Sequence, residues 1–119
     1  MLNSSMIKRI IFFFSLLLAS CDQSPKTGAD GYTFYGKQYE QNPVTVNIVT
    51  YKSRADLYNV AKARGAPYKG IVAFSVLSNK RDTCTVHMID PSISYQPEYV
   101  GHEFLHCAYG QWHKNNDTF

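Results

Sequence analysis

The sequence predicts an α+β fold: one small domain in which a mixed sheet has one backing helix and leads into a C-terminal helix that bears the site. Three observations predict it. The run "VTVNIVTY", Val44 to Tyr51, alternates and is rich in β-branched residues, as a strand requires. "SRADLYNVAKARGAP", Ser53 to Pro67, carries helix signals at both ends. Pro97 and Glu98 open a second helical stretch, and "GHEFLHCAYGQWH", Gly101 to His113, holds three of the four histidines.

Taken in order, Val44, Val46 and Ile48 share one face of the first strand. Ser53 caps the helix that follows, with Asp56 at its third position as in a capping box. Leu57, Val60 and Ala61 form its apolar stripe, Gly65 ends it and Pro67 prevents continuation. "GIVAFSVLS", Gly70 to Ser78, is apolar on both faces, which suits a central strand. "NKRD" is a polar turn, and "TCTVHMID" returns as a strand with Cys84, Val86 and Met88 on one face. His87 then points to the other face and is no ligand candidate. In the last helix Pro97 sits where its missing N–H does no harm, and Glu98 where the helix dipole favours a carboxylate. That helix is expected to stop at Gly110.

The first twenty of the 119 residues do not read as part of a fold. Lys8 and Arg9 precede "IIFFFSLLLA", Ile10 to Ala19, an apolar run about half as long as a bilayer-spanning helix needs and suited to a signal-peptide core. "LASC", Leu18 to Cys21, resembles the bacterial lipobox. That resemblance implies cleavage of a lipoprotein signal peptide at residues 1–20, acylation of Cys21 and a lipid-anchored chain at the bacterial cell membrane. The anchored chain from Cys21 to Phe119 has 99 residues, enough for one small domain. Residues 21–42 read as a polar, turn-rich tether, Asp22 to Gly31, followed by an aromatic segment that could be a first strand or a binding strip for sugars or peptides, with packing the plainer use of its rings; residues 43–119 read as the domain. Loss of Lys8 and Arg9 lowers the net charge from +3 to +1, with no basic stripe, so nothing points to nucleic acid.

His102, Glu103 and His106 spell H-E-x-x-H. Positions four apart lie on one helix face, so both imidazoles reach one tetrahedral metal ion. Glu103, about 100° round the helix, addresses a metal-bound water without ligating the ion. The pattern arises by chance in roughly one chain in 300 of this length, so context has to discriminate. On a helical wheel Val100, Phe104, Leu105, Cys107 and Ala108 form an apolar arc, and Tyr99, His102 and His106 lie opposite. If Cys84 bonds Cys107, the Cys84 face of the strand lies against that arc, where Cys107 already points, and the bridge would pin the site helix to the sheet; two buried free thiols are the alternative.

The order strand, helix, strand, strand, helix ending in H-E-x-x-H resembles the zincin metallopeptidases in reduced form, over roughly Val44 to His113. The resemblance implies a small zincin-like domain binding Zn2+ through His102 and His106, with Glu103 as catalytic base and a sheet edge strand holding the substrate backbone. The metzincins add a glycine turn and a third histidine; here Gly110 and His113 each stand one residue later than in that pattern. His113 is the expected third ligand, with Asp117 as substitute. Tyr99 or Tyr109 could stabilise an oxyanion, though packing is the plainer use of each. The implied function is a zinc-dependent metallopeptidase hydrolysing peptide bonds at the bacterial cell envelope, on peptide, protein or peptidoglycan substrates. The alternative is a non-catalytic surface lipoprotein that binds an envelope partner, with zinc structural or absent.

Overall fold

The computed structural model describes residues 27–40, 43–66 and 68–114. The expected signal peptide, Cys21 with its expected lipidation, Pro67 and Asp117 lie outside the described residues. Five elements follow one another: β1 (Thr45–Tyr51), α1 (Arg54–Ala63), β2 (Ala73–Leu77), β3 (Thr83–Ile89) and α2 (Pro97–Tyr109). They build an α+β domain with a three-stranded mixed sheet, order β1-β3-β2, in which β1 runs parallel and β2 antiparallel to β3.

Local chemistry explains the helix ends. Ser53 Oγ accepts from the Asp56 amide at 3.1 Å and donates to the Asp56 carboxylate at 2.7 Å, closing the first turn of α1. Gly65, at φ 71, turns the chain away after α1. α2 begins at Pro97 and ends against Gly110, whose φ of 70 no β-carbon would accept cheaply.

The strand order corrects one expectation. β2, whose run is apolar on both faces, is an edge strand, and β3 is the central one. The apolarity has another cause: β2 is covered on both faces by helices rather than flanked by strands on both sides. Phe74 joins Leu57 and Ala61 of α1 and Ile89 in a core on one face. On the other face Cys84, Val86 and Cys107 form a second core with Val44, Val46 and Leu77.

The disulfide Cys84–Cys107 lies in that second core, with its α-carbons 5.7 Å apart. It closes a loop across 23 positions, worth about 3 kcal/mol of chain entropy. Replacing both cysteines with serine is therefore expected to lower stability by about 3 kcal/mol. Urea unfolding of the oxidised wild type and the double variant measures it; matching midpoints would refute it.

The apolar arc of α2 is fully buried only at Cys107. α2 buries His102, Glu103 and Cys107, while Phe104 is 38% exposed. Phe104 lines an apolar cavity of about 330 Å³ with Met88, Pro91, Tyr95, Pro97 and Val100. The sheet covers only the Cys107 side of the helix, and the histidine side is covered by the segment Thr27–Glu40.

Candidate metal centre

α2 sets His102 and His106 one turn apart, and the chain reverses at Gly110 to bring His113 back beside them. A β-carbon at Gly110 would stand 2.5 Å from Gln38 Oε1 and from the Tyr39 ring, so the turn and the close approach of the N-terminal segment both require glycine. His106 Nε2 lies 3.1 Å from His102 Nε2 and 3.1 Å from His113 Nε2. One ligand atom from each of the three falls within 4.8 Å of the others.

The opposite ring nitrogens decide the protonation. His102 Nδ1–H donates to Asp30 Oδ2 at 2.9 Å, His106 Nδ1–H to the Gly110 carbonyl at 2.8 Å, and His113 Nδ1–H to the Lys114 carbonyl at 3.0 Å. A carbonyl or carboxylate only accepts, so in the neutral form of each ring the proton sits on Nδ1 and Nε2 presents a lone pair. Burial favours the neutral form at two of them: it holds His102 below the usual histidine range and brings His106 down to about 4, against the hydrogen bond to Gly110. The three Nε2 atoms thus converge, an arrangement that suits a cation between them. The donor set fits zinc: ligands 2.0–2.1 Å from a tetrahedral ion stand about 3.3 Å apart, within a few tenths of an ångström of the two spacings that meet at His106 Nε2.

Rings enclose the cluster. Tyr32 packs 4.4 Å from His102 and 4.7 Å from His113, and the buried Trp112 lies 4.7 Å from His102. Phe34 stacks on Trp112, whose carbonyl accepts from the Tyr35 and Gly36 amides; the Gln38 amide donates to the Tyr109 carbonyl. The aromatic segment therefore serves packing, over the site itself.

Asp30 is the residue that sequence reasoning missed. It stood in the expected tether, yet it is buried against His102. An Asp-Gly pair reads as a turn, and Asp30 Oδ1 does accept from the Tyr32 amide two residues on, at 3.1 Å. No local signal separates the two roles.

Glu103 stands apart from the three ligand atoms. It is 9% exposed, and its Oε2 accepts from Ser75 Oγ of β2 at 2.7 Å. Burial pushes its carboxyl up to about 7, against the opposing hydrogen bonding from Ser75. Ser75 was missed as well; one hydroxyl within an otherwise apolar strand was its signal. Tyr109 packs against Phe34 and Tyr99 lines a small cavity with Val72 and Met88, so both have packing surroundings. His87 is on the face opposite α2, stacked on Phe74 with Nδ1 2.8 Å from the Tyr51 hydroxyl.

Three imidazoles on a helix and its following turn define a candidate three-histidine metal site carried by a small α+β domain. No protein-family model matches the chain, and no curated protein or solved structure does.

Proposed function

We propose that this chain is a zinc-dependent metallopeptidase of the zincin kind, held at the bacterial envelope by lipid on Cys21. The observation that carries it is the converging Nε2 trio of His102, His106 and His113, on a helix that also buries Glu103 against Ser75. Structural zinc sites fill all four positions with protein ligands, whereas three leave one open for chemistry. The position of β2 supports the same reading. It is an antiparallel edge strand, it contacts α2 through Ser75 and Glu103, and its outer edge offers backbone groups to an extended peptide.

Zinc at this site supplies Lewis acidity, polarising a carbonyl and acidifying water. The protein's own residues do the rest. Asp30, Gly110 and Lys114 hold the three imidazoles in the tautomer that binds metal. Ser75 fixes the rotamer of Glu103, whose carboxyl near neutrality is suited to take a proton from the attacking water and pass it to the leaving amine. The substrates are peptides, exposed protein loops or peptidoglycan crosslinks at the envelope.

The test is metal content of the full chain purified in detergent without chelator, followed by a peptide-library cleavage assay. One zinc per chain with cleavage that chelation abolishes is the expected result. One zinc per chain with no cleavage of peptides, proteins or crosslinked peptidoglycan would instead make the protein a zinc-bearing binding module. A folded chain that takes up no zinc, even when zinc is added back, would end the reading.

A further inference from the structure

The three imidazoles do not get their second hydrogen bonds from equally near. His106 uses the carbonyl of Gly110 and His113 that of Lys114, both within four residues. His102 uses Asp30, 72 positions away in the chain. Asp30 and His102 are the buried pair, each side chain 8% exposed. The first histidine of the motif is therefore oriented by a segment that belongs to neither the sheet nor the helices.

That segment is built to present a carboxylate. The Gly28 amide donates to the Tyr32 carbonyl at 2.8 Å and the Gly31 amide to the Gly28 carbonyl at 3.0 Å. Thr27 bridges Thr33, with their hydroxyls 2.9 Å apart, so the loop is closed at its base. Gly31 has φ 84, and a β-carbon at Gly28 would stand 2.7 Å from Asp30 Oδ1, so both glycines are required for the carboxylate to sit where it does. Asp30 Oδ1 is tied to the loop's own Tyr32 amide, which leaves Oδ2 for His102.

We infer that Asp30 is a positioning residue of the metal centre, and that metal uptake and docking of the Thr27–Glu40 segment are one coupled equilibrium. The inference rests on the metal centre proposed above. A carboxylate on Nδ1–H fixes the ring and its tautomer and makes Nε2 a better donor, an effect commonly worth 10- to 100-fold in metal affinity. Linkage makes the coupling reciprocal: whatever factor the docked segment adds to metal affinity, bound metal adds to docking. The segment that follows the proposed anchor is then part of the centre rather than a passive leash.

The experiment uses the full chain in detergent, as wild type, Asp30→Ala and Asp30→Asn. Zinc affinity is measured by competition with a chromophoric chelator, and cobalt-substituted protein gives the visible ligand-field spectrum. Hydrogen exchange is followed at the Tyr35, Gly36 and Gln38 amides, which donate to the C-terminal turn. Asp30→Ala is expected to weaken zinc binding about 10- to 100-fold and to shift the cobalt bands. Asp30→Asn, which keeps an acceptor oxygen, recovers most of the affinity and the wild-type bands. Zinc slows exchange at the three amides in the wild type, and by a smaller factor in Asp30→Ala. Zinc affinity unchanged in both variants, with the Cys84–Cys107 bridge and circular dichroism intact, overturns the inference alone. So does an equal loss in both variants matched by an equal drop in metal-free melting temperature, which marks a purely structural carboxylate. No zinc uptake by the folded wild type overturns the metal-centre reading and this inference with it.

Discussion

Glu103→Gln is expected to lower peptide cleavage by about 10²- to 10⁴-fold, the usual contribution of a general base, with zinc content unchanged. The same substitution is expected to stabilise the metal-free protein at alkaline pH. Glu103 is buried, and its carboxyl is raised from 4.5 to about 7. A group whose folded pKa is raised contributes stability that is full below the unfolded value and is lost as pH rises through the folded value. The loss therefore runs from about pH 4.5 to pH 7, as the buried carboxyl is forced to ionise without a cation beside it. Glutamine imitates the protonated acid and never ionises. At pH 8 the variant should be more stable than the wild type by on the order of 3 kcal/mol, with the difference shrinking towards zero at pH 4. Urea unfolding of both proteins in chelator across that range measures it. Equal stability at pH 8 would show that Glu103 is solvated in the metal-free state and that its environment does not prepare it as a base.

His106→Ala should abolish the thermal response to zinc. His106 is the middle ligand: its Nε2 is 3.1 Å from each of the other two, so its loss leaves an incomplete pair rather than a trio. A ligand that binds only the native state at 1,000 times its dissociation constant stabilises it by about 4 kcal/mol. In a domain of this size that raises the melting temperature by roughly 15–30 °C. The wild type is expected to show a shift of this size in scanning calorimetry on going from chelator to excess zinc, and His106→Ala to show none. A full shift retained in the variant would place the metal elsewhere. The metal-free wild type is already set for the ion. Burial holds His106 down to about 4, so metal and proton do not compete for its Nε2 at neutral pH.

Much of the scaffold was legible because its signals are local. Ser53 and Asp56 close the start of α1, and Gly110 ends α2, through contacts within a few residues. The period-2 pattern of β3 put Cys84 and Val86 on one face and His87 on the other, and the disulfide to Cys107 lies on the Cys84 face. Periodicity misled where it was asked about neighbours rather than faces. Apolarity on both faces of β2 reports what lies above and below the sheet, and two helices there look the same as the interior of a wider sheet. Hence an edge strand read as a central one. The apolar arc of α2 misled for a related reason. A wheel ranks the sides of a helix by polarity, and it cannot register that rings from residues 32 to 39 cover the histidine side.

By itself the sequence determined that the chain carries H-E-x-x-H on a helix, with a third histidine after a glycine turn and a cysteine pair able to brace that helix against a strand. Those follow from spacing along the backbone, which a helix of 3.6 residues per turn converts directly into geometry. Only the tertiary structure decided which nitrogen of each histidine is free, because that depends on the acceptor at the other nitrogen. For His102 the acceptor is Asp30, 72 positions away. Only the tertiary structure, likewise, buried Glu103 and placed Ser75 on it. Protonation and burial are properties of surroundings assembled from distant segments, and no local pattern of residues encodes them.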